Sequence, residues 1–275
     1  MTLHKISPIG KLSFSLVAAW LSVSVMAADF NDTLRLANQG DVQAQYNLGV
    51  MYDAGEGTSQ DKKKAVEWYR LAANQGLVEA QNNIGVSYYN GEGVNQDYQE
   101  AARWYDKAAN QGYAEAQYNL GSLYLLGQGV DQDSLEALEW YDQAANQGYV
   151  DAQFNLGLMY DNGIGVPQNF HEAFAWYQLA ASQGDADAQF NLANMYAKGQ
   201  GTSLSLEHAA EWFEAAANQG DAEAQLYLGS LYDFGLGVVQ NRVTAKKWYW
   251  RSCDNGFKKG CDGYKMLNER EKGAF

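Results

Sequence analysis

The sequence predicts an all-α fold, a right-handed α-α superhelix (solenoid) of helix-turn-helix repeats. Three observations carry this expectation: a constant 36-residue period, two helical apolar patterns in every period, and turn and capping residues at fixed places between them. The period is read from the phrase Asn-Gln-Gly or a near equivalent, which closes at Gly40, Gly76, Gly112, Gly148, Gly184, Gly220 and Gly256. A spacing that never changes implies one supersecondary element used repeatedly.

Taken in chain order, residues 1–27 read as a secretory signal peptide. Lys5 and Lys11 make a positive start, Leu12 to Val25 is mostly apolar, and Val25-Met26-Ala27 supplies the small residues a signal peptidase reads, so cleavage is expected after Ala27. The apolar run is short for a membrane span, which needs about 20 residues, and no later segment is apolar enough to make one. No cysteine stands near the cleavage point to carry a lipid. The expected location is the periplasm or the exterior.

Residues 28–40 form an N-terminal partial repeat. Six complete repeats follow over 41–256, at 41–76, 77–112, 113–148, 149–184, 185–220 and 221–256, and a C-terminal capping half-repeat occupies 257–275. In the first helix of each repeat, residues such as Ala44, Leu48 and Tyr52 recur at i, i+4 and i+8 and so share one stripe. Gly49, Gly85, Gly121, Gly157 and Gly229 lie inside this helix at a cost of about 1 kcal/mol each against alanine, which predicts a close helix contact. A Gly-x-Gly pair such as Gly55 and Gly57 ends the helix. The second helix begins after Asp61, Asp97, Asp133, Asn169, Ser205 or Asn241, all good N-caps, and Glu100, Glu136 and Glu172 are placed to complete capping boxes. Ala65, Trp68 and Ala72 share its inner face.

These residues resemble the Sel-one-like repeat, a relative of the tetratricopeptide repeat. The resemblance rests on Ala44, Leu48, Gly49, Tyr52, Gly55, Gly57, Ala65, Trp68, Tyr69, Ala72, Ala73 and Gly76, repeated six times, with departures at Ala193, Phe213 and Ser252-Cys253. It implies a non-enzymatic scaffold or adaptor for protein–protein interaction in the cell envelope or with a host. The alternative it implies is a binder or hydrolyser of β-lactams or peptidoglycan fragments, as in the cysteine-rich branch of the family. That branch carries a helix-to-helix cysteine pair in many units, and this chain has one such pair, Cys253 and Cys261. Register places both where consecutive helices touch, so a disulfide staple is expected, with a redox site as the other reading.

The residue inventory argues against most chemistry. The formal charge of -14 repels phosphate backbones, which excludes nucleic acid as a partner. His171 and His208 lie near the starts of two different second helices, no metal-ligand spacing occurs, and no Ser-His-Asp arrangement can be assembled, so no catalytic residue, metal or cofactor is expected. The expected partner is a protein or an extended peptide, bound by a chain that is itself monomeric. The candidate binding residues follow Ala-Gln in the first helices: Tyr46 and Asn47, Asn82 and Asn83, Tyr118 and Asn119, Phe154 and Asn155, Phe190 and Asn191. They point away from the Ala/Leu/Tyr stripe, so either they line a groove or the aromatics pack between repeats while the asparagines cap local turns.

Charge is uneven along the chain. Residues 28–240 hold 8 basic and 29 acidic side chains, whereas 241–275 hold 9 basic and 4 acidic. The positive end fits the outer face of a capping helix, with Tyr264 and Leu267 spaced to pack inward, or a contact with an anionic surface.

Overall fold

The computed structural model describes residues 30–272, so the leader expected over 1–27 and its expected cleavage point lie outside the described residues. Every element among those residues is a helix, and the chain divides into two compact units between Tyr149 and Val150. The first unit holds α1 (Phe30–Asn38), α2 (Val42–Ala54), α3 (Lys62–Asn74), α4 (Val78–Asn90), α5 (Tyr98–Ala109), α6 (Ala114–Leu126) and α7 (Ser134–Asn146). The second holds α8 (Val150–Asn162), α9 (Phe170–Ser182), α10 (Ala186–Lys198), α11 (Leu206–Asn218), α12 (Ala222–Phe234), α13 (Arg242–Asp254) and α14 (Lys258–Lys272). Within each unit the helices pack in chain order, each on the next, and α14 also reaches back to α12. The fold class is therefore the expected all-α helix-pair repeat.

All six expected caps of the second helices take that position. Asp97, for example, accepts from the Gln99 and Glu100 amides at 3.0 Å each. The reciprocal half of the capping boxes takes a different course. The amide of each cap residue is already committed to a carbonyl of the preceding helix, as in Asp97 N to Tyr88 O at 2.9 Å and Asp133 N to Tyr124 O at 2.9 Å. The glutamates turn elsewhere, Glu100 to Arg103 at 2.9 Å and Glu136 to the Trp140 indole N–H at 2.9 Å. In five of the six repeats the turn before the cap is closed by a glutamine side chain donating seven residues back, as Gln96 does to the Tyr89 carbonyl at 2.8 Å; Leu204 stands there in the fifth.

The tryptophan of the second helix packs on the core, as its place beside the alanines implies, and is buried at Trp104 and Trp248. On the second helix the deepest large side chain is the residue after the tryptophan: Tyr105, Tyr141 and Tyr177 are fully buried, while Trp68, Trp140, Trp176 and Trp212 are only half-buried. The ring lies flat on the glycine of the first helix. A methyl group at Gly85 would stand 2.5 Å from the Tyr105 ring, and one at Gly157 2.5 Å from Tyr177. Close approach thus offsets the low helix propensity of glycine. In the repeat where alanine replaces this glycine, at Ala193, the partner is the smaller Phe213.

A second device links consecutive pairs. In the first unit Gln81 Nε2 donates to the Ala73 carbonyl at 3.2 Å and Gln117 to that of Ala109 at 3.2 Å. Each of these glutamines accepts in turn from the glutamine that closes its own repeat, Gln111 to Gln81 at 2.8 Å and Gln147 to Gln117 at 2.7 Å. The second unit repeats the arrangement with Gln219 to Gln189 at 2.8 Å, Gln189 to Ala181 O at 3.1 Å, and Asn255 in the closing role to Gln225 at 3.0 Å. Buried amides need such partners, and here they tie three successive helices together.

At the positive end, a disulfide joins Cys253 on α13 to Cys261 on α14, with Cα atoms 4.5 Å apart. Leu267 is fully buried against Tyr249, with Tyr264 packed beside it. Arg270 on α14 reaches Asp233 on α12 at 3.3 Å, a carboxylate only 1% exposed. Because the disulfide closes a short loop, chain-entropy arguments give it about 2.5 kcal/mol. Reduction is expected to cost that amount and to raise amide exchange over 258–270, leaving the first unit's exchange unchanged; equal exchange in both redox forms would contradict the assignment.

Candidate interaction surface

The face of the first helices that turns away from the core is built on every repeat from the same three positions. In four of the six repeats an aromatic residue after Ala-Gln covers the buried tyrosine or phenylalanine of its own repeat, with Asn82 and Leu226 at that position in the second and sixth. Tyr46 lies on Tyr69 at 5.8 Å between ring centroids, Tyr118 on Tyr141 at 5.6 Å, Phe154 on Tyr177 at 5.9 Å and Phe190 on Phe213 at 5.7 Å. Tyr118, Phe154 and Phe190 are buried by this packing, and Tyr46 stays half-buried. Asparagines follow. Asn82, Asn119 and Asn155 are buried, with Asn119 Nδ2 donating to Asn82 Oδ1 at 3.1 Å, whereas Asn47, Asn83 and Asn191 are half-buried and reach solvent. The ten candidate residues thus divide into a floor and an accessible set of Tyr46, Asn47, Asn83 and Asn191.

The third position was not among the expected binding residues. Glu79, Glu115, Asp151, Asp187 and Glu223 stand four residues before the second asparagine position, on the same helical face, and recur every 36 residues. That periodic acid was available in the sequence as a signal. In the first unit Tyr113 donates to Glu115 at 3.3 Å. Glu79 Oε2 is out of solvent without a hydrogen-bond partner. Burial, reinforced by Glu79 and Glu115, pushes the Tyr46 phenol up to about 12 against an opposing contact from the Asn83 amide. Burial and Glu115 push Tyr113 higher still. Both phenols therefore stay protonated donors throughout the physiological range.

The second unit carries the same chemistry. Burial, with Asp187 and Asp151 adding to it, pushes Asp185 up to about 6 against the Ala188 amide that it caps. Burial alone raises Asp151. A folded-state value above the ordinary carboxylate range means that ionising Asp185 opposes folding, a cost present above about pH 6 and relieved as pH falls through that value.

The histidines sit apart from this surface. His171 Nδ1 contacts the Gly201 carbonyl at 2.9 Å, and His208 Nδ1 meets the Ser205 hydroxyl at 2.9 Å while its ring stacks on Tyr196. Ser205 is the N-cap of α11 and also approaches Glu207 at 3.2 Å, so this exposed Ser-His contact belongs to a helix cap. Among the described residues no group of three or more His, Cys, Asp or Glu side chains is arranged to hold a metal ion, and no helix is long and apolar enough to cross a membrane.

The Sel1 repeat family model matches residues 42–77, 78–113, 114–149, 150–185, 186–221 and 222–257, nearly all of the described chain. The chain belongs to the Sel1 repeat family. Two solved Sel1 repeat structures are similar to it. One is a protective antigen of uropathogenic Escherichia coli with this repeat fold, 38% identical, covering 86% of this chain and 51% of its own, with a TM-score of 0.85. The other is a Sel1 repeat protein from Oxalobacter formigenes, 33% identical, covering 85% of this chain and 95% of its own, with a TM-score of 0.72. The chain spans about half the length of the E. coli antigen. No curated protein sequence matches it. Sel1 repeat proteins are generally protein–protein interaction scaffolds and are typically non-enzymatic.

Proposed function

We propose that this chain is an exported scaffold or adaptor, without catalytic activity, that captures an extended segment of a partner protein on the outer face of its first helices. The observation that carries the reading is the set of groups that successive repeats of the first unit bring to that face: the accessible amides of Asn47 and Asn83, the protonated phenols of Tyr46 and Tyr113, and the carboxylates of Glu79 and Glu115. Asparagine offers both a donor and an acceptor to a peptide backbone, and the carboxylates favour basic side chains on the segment. The excess of acid over residues 28–240 acts at longer range, drawing a basic partner toward the body of the molecule. Export rests on the leader expected over residues 1–27 and agrees with a disulfide, which persists in oxidising compartments.

The accessible asparagines supply the test. Replacing Asn47 and Asn83 of the first unit together by alanine is expected to weaken capture of a lysine-rich extended peptide at least tenfold, at about 1 kcal/mol for each net hydrogen bond lost. Titration calorimetry at low salt measures it, with circular dichroism confirming that helix content is unchanged. Equal affinity of the double variant and the parent would refute this face as the binding surface.

A further inference from the structure

The repeat provides an internal control that isolates a second surface. On α13 Val243, Lys247 and Trp250 fall at i, i+4 and i+7, a solvent-facing stripe opposite the buried Ala245, Tyr249 and Ser252. Trp250 is 52% exposed, Val243 65%, and Val239 in the turn before the helix 88%. Among the described residues it is the one exposed tryptophan. The five earlier repeats place Arg70, Asp106, Asp142, Gln178 and Glu214 where Trp250 stands. Five polar side chains mark this as an ordinary solvated face that has become apolar once, in the last repeat.

The change in polarity coincides with the change in charge. Lys247 and Arg251 flank Trp250, and Arg251 is held with its guanidinium 4.8 Å over the Trp248 ring. Arg242 and Arg270 are engaged by Asp233, so the outward charge comes from Lys247, Arg251 and the exposed Lys258 and Lys259 that follow, four cations against the one exposed carboxylate, Asp254, that ends the stripe. We infer that the outer face of α13 and its preceding turn form a docking surface for an anionic lipid bilayer. Trp and aliphatic side chains set among Lys and Arg suit the interfacial zone of a membrane, where the rings enter the headgroup layer and the cations meet lipid phosphates. The acidic body is repelled by the same surface, so the molecule approaches by this end. An acidic protein would satisfy the cations but leave Trp250, Val243 and Val239 without an apolar counterpart.

Co-sedimentation of the disulfide-bonded chain with vesicles of phosphatidylcholine containing roughly one third phosphatidylglycerol tests this directly. Binding is expected with these vesicles, little with phosphatidylcholine alone, and release as salt rises toward about 0.5 M. Lys247→Ala with Arg251→Ala is expected to lower partitioning about 25-fold, at about fivefold per cation. Trp250→Ala, tested separately, weakens binding while helix content stays at the parent level, since the side chain is outside the core. Failure to sediment with anionic vesicles overturns the inference. So does equal binding by these variants, or a surface that in sedimentation velocity pairs two copies of the chain or binds polyglutamate while ignoring lipid.

Discussion

Tyr105→Ala is expected to destabilise the first unit by about 3–5 kcal/mol, the range for deleting a large buried aromatic ring. Tyr105 is fully buried and lies on Gly85, which has no side chain to move into the space, so the cavity stays open. Its hydroxyl is out of solvent without a hydrogen-bond partner. Removing only that oxygen, in Tyr105→Phe, relieves an unmet desolvation cost and should leave stability equal or higher by up to about 1 kcal/mol. Phe213 already occupies the equivalent place in the fifth repeat. Urea unfolding followed by circular dichroism measures both variants. A small loss for alanine, or a large one for phenylalanine, would contradict the packing described.

The glutamine links make the second large prediction. Gln117 is 3% exposed and uses its amide as a donor to the Ala109 carbonyl and to Gln143 Oε1, at 3.2 Å each, and its oxygen as an acceptor from Gln147. Gln117→Leu removes all three bonds, yet the Ala109 carbonyl keeps the Gly112 amide at 2.9 Å and the exposed Gln143 and Gln147 can turn to water, so the expected loss is about 1–2 kcal/mol. Gln117→Glu is expected to cost more, about 3 kcal/mol at pH 7, because an ionised carboxylate would face that carbonyl with no donor and be buried without a cation. Burial raises the folded-state pKa of such a glutamate above its unfolded value, so the penalty is full above the raised value and shrinks as pH falls through it. Unfolding measured at pH 7 and pH 4.5 should therefore bring the Glu variant closer to the parent at the lower pH. A pH-independent loss would contradict a donor role for Gln117.

Repeat length, helix pairs and second-helix caps were all legible because each depends on local chemistry. Glycine supplies positive φ after the first helix, as at Gly55 with φ 76°, and short oxygen-bearing side chains satisfy free first-turn amides, and both recur at fixed register. That Tyr105 lies deeper than its neighbour Trp104 was not legible. Adjacent helix positions differ by about 100°, and an Ala stripe at i and i+4 leaves room for either neighbour to face inward. What decides is the glycine on the facing helix, a tertiary fact. Capping boxes failed for a comparable reason, since the amide that Glu100 would have received was already bonded to the Tyr88 carbonyl.

The face proposed for binding was legible in the direction of its residues and incomplete in chemistry. Tyr118, Phe154, Phe190, Asn82, Asn119 and Asn155 lie where the helical angle puts them, away from the Ala/Leu/Tyr stripe, but neighbouring helices bury them. Helical angle reports direction and says nothing of what stands there. The carboxylates at Glu79 and Glu115 were overlooked because, read singly, each is an ordinary first-turn acid on its helix.

The account depends most on the first helices being the face that meets a partner. Deuterium exchange of the chain with and without a saturating lysine-rich peptide tests this directly. Slowed exchange is expected over 78–90 and 114–126, with 98–109 and 134–146 unchanged. Protection confined to the second helices, or absent at saturation, would contradict the account.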